Sequence, residues 1–230
     1  MLVEARGLWF RYPGQAGWLL RGASAALRRG EIAAVVGPNG AGKTTLLKLM
    51  AGLRRPARGC VCIDGASLWD VGEAERLAAR RRLVYLHEDP VMLRGSVLEN
   101  VAAGLLLRGA PRRQALARAR EALEELGLSS YADAKARSLS RGLRHLVAVA
   151  RALALSPEGL LLDEPFAHLD RAKRRLLARL LARLAEEGRA VAVVTHDTYL
   201  ASRLARRVIL VEGGRVAEGG RELLEEASGV

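Results

Sequence analysis

Residues 37–45 read GPNGAGKTT, and this stretch decides the fold. A short apolar run, 32–36, precedes it, and an apolar periodic segment, 46–53, follows it. A strand, a glycine-rich turn and a helix in this order provide the context that a phosphate-binding loop requires. Lys43 is therefore predicted to reach the β- and γ-phosphates of a nucleotide, and the Thr44 hydroxyl to bind Mg²⁺.

The glycines of this loop explain how its backbone can hold phosphate. They let the chain bend so that several N–H groups converge on one point. The helix that follows adds the positive end of its dipole. A glycine turn with one exposed lysine is the alternative, but the full eight-position pattern in this context favours nucleotide binding. The residues predicted to contact the nucleotide here are Gly37, Pro38, Asn39, Gly40, Ala41, Gly42, Lys43, Thr44 and Thr45.

The composition is that of a globular chain with a substantial core. Half of the 230 residues are apolar, which suits one large domain or a core with an inserted subdomain. No apolar run approaches the ~18 residues of a membrane-spanning helix. No secretory leader starts at Met1. We therefore expect a soluble, cytoplasmic protein that would serve a membrane through another chain.

The chain is strongly basic, with a net charge of +12. Such a surface could attract nucleic acid, anionic lipid or nucleotide. The basic residues are nearly all arginine, and they are spread along amphipathic segments such as 171–183 rather than gathered in one tail. This distribution favours solvated helix faces, and no nucleic-acid partner is predicted.

The two cysteines lie two residues apart, at Cys60 and Cys62 in CVCIDG. In a strand such residues share a face but are poorly spaced for a disulfide. No histidine or further cysteine is at hand to complete a metal site. The pair is interpreted as strand packing in a reducing compartment.

Strand-like segments occupy both ends of the chain, and helical segments occupy its middle. Apolar strand segments are predicted at 2–10, 19–27, 61–63, 83–86, 160–162, 191–194 and 208–211, and helices at 112–126, 140–155, 171–187 and 198–205. Strands that alternate with helices indicate an α/β fold with a parallel sheet covered on both faces. We predict one domain, 1–230, with its core in about 1–86 and 158–230 and a helical subdomain in about 87–157.

Two acids follow a strand in LLLDEP, residues 160–165. A buried strand that ends in carboxylates places them at the carboxyl edge of the sheet, where ligands of such folds lie. Asp163 is predicted to hold Mg²⁺, directly or through water, and Glu164 to act as general base on the attacking water. A helix cap is the structural alternative, but the phosphate loop favours catalysis.

A histidine follows the next strand, in VTHD, residues 194–197. A lone histidine at such a place is ordinarily a polar loop residue. Because this strand comes after the acid strand, His196 is instead predicted to hydrogen-bond the γ-phosphate and the attacking water.

Together these motifs resemble the nucleotide-binding subunit of ABC transporters over nearly the whole chain. Residues 37–45 resemble the Walker A motif, 160–164 the Walker B motif and 166–170 (FAHLD) the D-loop. His196 stands at the switch-histidine position, and LSRGL at 139–143 stands at the signature position. The resemblance implies a P-loop NTPase of ABC ATPase type, with a mixed sheet core, an inserted helical subdomain and an N-terminal antiparallel β part.

The resemblance also implies further contacts and partners. Tyr12 in FRYPG stands where the family stacks an aromatic on adenine, and Asp170 belongs to the D-loop. In the family two cassettes pair head to tail, so Ser140 and Gly142 would contact the γ-phosphate of an ATP held by the partner, at a helix N-terminus. ATP and Mg²⁺ are the implied cofactors. A second ABC subunit, membrane permease subunits and, indirectly, a solute-binding protein are the implied partners.

Three positions depart from the family pattern. Arg141 replaces the first signature glycine and Leu143 the glutamine, while Glu88 in YLHEDP stands for the Q-loop glutamine that contacts Mg²⁺ and water. Glutamate can ligate Mg²⁺ but adds negative charge beside phosphate, so Glu88 is predicted as a metal and catalytic residue. Either these changes are tolerated, or the chain pairs with a different cassette that carries a full signature.

The resemblance implies an ATP-hydrolysing transporter subunit on the inner face of the cell membrane. The stretch 83–109 is similar to importer subunits for tungstate and related oxyanions, so oxyanion import is a hypothesis for the substrate. A soluble non-transport ABC ATPase, such as an iron–sulfur assembly scaffold, is one alternative. A nucleotide-gated regulator with weak hydrolysis is the other.

Overall fold

The computed structural model describes residues 2–224 and divides them into two compact units. The core unit comprises residues 2–85, Glu158–Glu164 and 181–224; the helical unit comprises Leu86–Pro157 and Pro165–Leu180. The predicted core included all of 158–230, whereas Pro165–Leu180 belong to the helical unit. Within residues 2–224, no helix combines the length and apolar character needed to cross a membrane.

Ten strands and seven α-helices are described in residues 2–224. The strands are β1 (Val3–Phe10), β2 (Leu20–Leu27), β3 (Ile32–Val36), β4 (Arg58–Ile63), β5 (Ala66–Ser67), β6 (Leu83–Leu86), β7 (Gly159–Asp163), β8 (Ala190–Val194), β9 (Arg207–Glu212) and β10 (Arg215–Gly219). The helices are α1 (Lys43–Met50), α2 (Glu73–Arg81), α3 (Val97–Leu107), α4 (Arg112–Glu125), α5 (Arg141–Ala154), α6 (Arg171–Glu186) and α7 (Thr198–Leu204).

The larger sheet has the order β10-β9-β3-β8-β7-β6. Strands β9, β3, β8 and β7 run parallel, and β10 closes one edge as an antiparallel strand. Strands β3, β7 and β8 are buried at every position, because a parallel sheet covered on both faces leaves no residue exposed. The carboxyl ends of β3, β8 and β7 therefore meet at one edge, and the predicted phosphate loop, acids and histidine all follow these ends.

The smaller sheet is antiparallel, with the order β2-β1-β4-β5. Its inward side chains join those of the parallel sheet and of α1 in a single hydrophobic cluster, which includes Leu8, Val35, Leu46, Leu49 and Leu161. Both sheets thus rest against the helix that begins inside the predicted phosphate loop. The N-terminal antiparallel part and the mixed sheet confirm the predicted fold class.

A buried arginine joins four parts of the core unit. Arg207, 8% exposed at the start of β9, donates to Glu31 Oε1 at 2.6 and 2.9 Å and to Glu218 Oε2 at 2.6 Å. It also donates to the carbonyl of Ala26, while the Ala26 N–H donates to Glu218 Oε1 at 2.6 Å. This cluster joins β2, the turn before β3, β9 and β10 in a region where an unpaired charge would be strongly unfavourable.

The helical unit is built on small residues and on one buried amide. Helix α4 buries Ala115, Ala119 and Ala122, a spacing that places alanines along one face and lets neighbouring helices approach closely. Asn100 on α3 is fully buried; it accepts from Leu93 N–H at 2.8 Å and from Arg151 at 2.8 Å. These bonds link α3 to α5 and hold the loop before α3 in place.

Candidate functional site

The loop after β3 has the backbone geometry that its glycines allow. Gly37 has φ +139°, and a Cβ there would lie 2.0 Å from the Val211 carbonyl oxygen, so no larger residue fits. Gly42 has φ +108°, and a Cβ there would come within 3.0 Å of Leu20 Cδ2. Both positions therefore require glycine, and α1 begins at the next residue.

Lys43 places a positive charge at the centre of this loop. Its ammonium donates to the Gly37 carbonyl at 2.7 Å and to the Pro38 carbonyl at 2.9 Å, and the residue is only 6% exposed. Burial lowers the pKa of Lys43, an effect that the carboxylates of Glu164 and Asp163 oppose. The loop thus holds a cation beneath the N-terminus of α1, where an anion would be attracted.

Oxygen atoms from three elements converge on the end of β7. Thr44 Oγ1 donates to Asp163 Oδ2 at 2.7 Å, and the Tyr85 hydroxyl donates to the same oxygen at 2.9 Å. Asp163 is 2% exposed. A hydroxyl and a carboxylate this close fit Mg²⁺, which prefers oxygen ligands and completes its shell with water and substrate phosphate. The structure therefore brings together two of the three residues predicted to hold the metal.

Glu164 and His196 face each other beside this oxygen cluster. Glu164 Oε1 lies 3.4 Å from His196 Nε2; the glutamate side chain is 15% exposed and the imidazole 53%. Glu164 has φ +47°, in the left-handed region that few glutamates adopt, and its N–H donates to the Val194 carbonyl. Such strained backbone positions concentrate at functional sites.

Tyr12 contacts the phosphate loop through its hydroxyl and strand β1 through its ring. Its hydroxyl lies 3.0 Å from Thr45 Oγ1, and its ring packs edge-on against Phe10 with centroids 5.0 Å apart. The guanidinium carbon of Arg54 lies 5.6 Å from the Tyr12 ring centroid. An aromatic platform therefore stands directly beside the second threonine of the loop.

The signature positions lie in the helical unit. Ser140 caps α5, and its hydroxyl accepts from Leu143 N–H at 3.4 Å. A Cβ at Gly142 would come within 2.6 Å of the His168 carbonyl oxygen, so this position also requires glycine. Arg141 is exposed at the first position of α5. The helix start is thus well formed despite its altered sequence.

Two further predicted residues also lie in the helical unit, and a buried histidine accompanies them. Glu88 is exposed in the loop after β6. Asp170 forms an ion pair with the Lys173 ammonium and accepts from the Lys173 backbone N–H at 2.9 Å. Bonds to Lys173 lower the pKa of Asp170.

His145 on α5 is 1% exposed, and its pKa is lowered to about 4, chiefly by burial and also by the nearby His168. His145 is therefore neutral near pH 7.

The structure brings one set of predicted residues together within the core unit. That set is Tyr12, the loop 37–45, Asp163, Glu164 and His196. Two further neighbours of this site, Tyr85 and Arg54, were not predicted from the sequence. Tyr85 could have been suspected because it lies near the end of β6, the strand beside the acid strand, whereas nothing local marks Arg54.

This fold and this site define a P-loop NTPase of the ABC ATPase type. The sequence pattern of the ABC transporter family matches residues 20–167, more than half of the chain. The protein therefore belongs to the ABC transporter family and is an ATP-binding subunit that hydrolyses ATP.

Relatives and solved structures are similar over most of this chain. The phosphate import ATP-binding protein PstB 2 of Natronomonas pharaonis is 38% identical over 88% of this chain and 74% of its own length. The taurine import ATP-binding protein TauB of Pseudomonas aeruginosa is 38% identical over 93% and 79%. A dimeric ATP-binding cassette solved in a post-hydrolysis state with ADP and phosphate is 30% identical, with a TM-score of 0.85 over 96% of this chain and 99% of that one.

Proposed function

We propose that this chain powers the movement of an oxyanion through a separate membrane permease, working as one half of an ATP-closed pair on the cytoplasmic face of the membrane. The observation that carries the proposal is the convergence of Lys43, Thr44, Asp163 and the Glu164–His196 pair within one unit. The phosphate and taurine importers among its relatives support the import of small anions.

Each residue of this convergence has a role in the proposed hydrolysis. Thr44 and Asp163 would hold Mg²⁺, which neutralises charge on the β- and γ-phosphates. Lys43 binds the same phosphates. Glu164 takes a proton from water as the water oxygen bonds to the γ-phosphorus and the bond to the bridging oxygen of ADP breaks. His196, 3.4 Å from Glu164, orients the carboxylate and donates to the γ-phosphate.

In the proposed pair of cassettes, each ATP site is completed by the signature residues of the other chain. Ser140 and the Gly142 backbone, at the start of α5, are the groups assigned to the partner's γ-phosphate. Arg141 and Glu88 are either tolerated in a homodimer or mark a chain that pairs with a cassette of full signature. Rapid ATP hydrolysis by the purified chain alone would favour the homodimer.

Uptake measurements with a permease encoded by a neighbouring gene test the transport proposal. Membrane vesicles that hold the permease and this chain are expected to take up tungstate or molybdate when supplied with ATP. The Lys43→Ala variant lacks the loop cation, so it should not use ATP to power uptake, and it provides the control. Absence of uptake for tungstate, molybdate and phosphate alike would contradict oxyanion transport. Purification with soluble proteins and no permease would favour the scaffold alternative.

Removal of the Tyr12 ring is expected to weaken ATP binding through the base alone. The Tyr12→Ala variant should raise the Kd for ATP by about 5- to 150-fold, because base–aromatic stacking contributes ~1–3 kcal/mol. Tyr12→Phe keeps the ring while losing the hydroxyl contact with Thr45, so it should bind ATP nearly as the wild type does. Isothermal titration with ATP and with inorganic tripolyphosphate separates the two parts of the ligand. An equal loss for tripolyphosphate would mean that Tyr12 acts on the phosphate loop instead.

A further inference from the structure

The small antiparallel sheet carries two tryptophans on its outer face. Trp9 lies between Leu8 and Phe10, which belong to the core, so its own side chain points to the opposite side of the sheet. Trp18, just before β2, meets Trp9 edge-on with ring centroids 5.5 Å apart. Both tryptophans are half-buried, which leaves part of their apolar surface in contact with water.

Two arginines lie over these rings. The guanidinium carbon of Arg11 lies 4.9 Å from the Trp18 ring centroid. That of Arg58, which pairs with Trp9 across the sheet, lies 5.8 Å from the Trp9 centroid and 5.9 Å from the Trp18 centroid. Both arginines are exposed, and neither forms an ion pair with a carboxylate of residues 2–224. We call these four side chains the Arg–Trp patch.

An arginine that rests on an aromatic ring is well prepared to bind phosphate. Its N–H donors lie in the plane of the guanidinium, so stacking leaves them available for bidentate contacts with phosphate oxygens. The ring also restricts a side chain that would otherwise lose much rotamer freedom when it binds an anion. In the patch, the donors of Arg11 and Arg58 therefore remain available to an anion outside the chain.

The combination of tryptophan and arginine fits the surface of a membrane. There the indole ring lies among the headgroups, and the cation binds lipid phosphate. A single-stranded nucleic acid would instead need open ring faces on which its bases could stack, and the Trp18 ring has guanidinium groups over it. The contacts within the patch thus favour a lipid headgroup over a nucleic acid.

We propose that the Arg–Trp patch binds anionic lipid headgroups, so that this face of the core unit rests directly on the membrane surface. The net charge of +12 adds a long-range attraction to such a surface. This interaction goes beyond the proposed transport function, because it requires no permease.

Sedimentation with lipid vesicles tests the patch on the full chain. The protein is expected to bind vesicles that contain phosphatidylglycerol and not vesicles of phosphatidylcholine alone. The double variant Arg11→Ala/Arg58→Ala should lose about 25-fold in affinity, since each arginine near an anionic surface contributes about 5-fold. The control Arg206→Ala/Arg215→Ala removes the same charge from exposed positions elsewhere in the core unit and should stay within about 2-fold of the wild type. Urea unfolding verifies that both double variants fold.

Tryptophan fluorescence gives a second measurement, made on the wild type. Anionic vesicles whose lipids carry a bromine label should quench this fluorescence, because the patch brings its rings to the headgroups. Trp18→Phe keeps a ring beneath the arginines, so it should still bind the vesicles but show less quenching.

Four results would overturn the proposal. Equal losses of affinity in the two double variants would mean that net charge alone attracts the protein, and equal binding to phosphatidylcholine vesicles would exclude headgroup charge. Displacement from the vesicles by soluble glycerol phosphate at an equal phosphate concentration would assign the patch to a free phosphate. Tighter binding to single-stranded DNA than to anionic vesicles at the same salt concentration would assign it to nucleic acid.

Discussion

The Glu164→Gln variant is expected to lose at least ~100-fold in the rate of ATP hydrolysis while its ATP affinity stays within about 2-fold of the wild type. Glutamine keeps the size of the side chain and its place beside His196, but it cannot accept the proton of the attacking water. Binding is expected to rest on Lys43 and the loop, which the change leaves intact. Phosphate release measures hydrolysis, and a fluorescent ATP analogue measures affinity.

The control for this variant removes an equal charge elsewhere in the core unit. Glu212 is exposed at the end of β9, so Glu212→Gln should hydrolyse ATP at the wild-type rate. If two cassettes close on ATP, Glu164→Gln should also accumulate as a dimer with ATP trapped, visible by size-exclusion chromatography. A Glu164→Gln protein that retains a tenth of the wild-type rate would remove Glu164 from the role of general base.

Loss of Arg207 should destabilise the core unit by about 3 kcal/mol. The Arg207→Ala variant leaves two carboxylates, Glu31 and Glu218, without their cation. Their side chains are 16% and 25% exposed, so part of the repulsion is relieved by water, and the effect falls at the lower end for a buried pair. The Ala26 carbonyl loses a donor as well.

Urea unfolding followed by tryptophan fluorescence measures this loss selectively. Trp9, Trp18 and Trp69 are all the tryptophans of the chain and all belong to the core unit, as does Arg207. Arg215→Ala, an exposed arginine on the adjacent strand β10, is the matched control and should change stability by less than ~0.5 kcal/mol. A loss below about 1 kcal/mol for Arg207→Ala would show that the two carboxylates regain hydration without unfolding.

The sequence predicted the parts of the fold that have a strong periodic signal. Strands such as β3 and β8 are uninterrupted apolar runs, and α5 begins at the expected serine cap. Helix α2 was not predicted, because five of its nine residues are charged and none is buried, so no apolar run marks it in the sequence. Strand β10 was also missed for a similar reason, since it is an exposed edge with no fully buried residue.

Some residues of the functional site can likewise be recognised in short sequence motifs, whereas contacts between residues far apart in the sequence cannot. The loop 37–45 and the pair Asp163–Glu164 are short motifs whose chemistry can be read directly. The contact of Tyr85 with Asp163 joins residues 78 positions apart, and that of Arg207 with Ala26 joins residues 181 apart. Such contacts depend on which strands become neighbours in the sheet, and one sequence does not specify that order residue by residue.

At Glu164, the left-handed backbone creates a conflict between the thermal stability of the protein and the proposed role of this carboxylate in ATP hydrolysis. Holding a glutamate at φ +47° costs of order 1–3 kcal/mol, a strain that glycine would not carry. A library screened only for survival at high temperature will therefore enrich chains that have lost the carboxylate. An engineer who wants a more robust form of this ATPase has to select for nucleotide turnover in the same experiment.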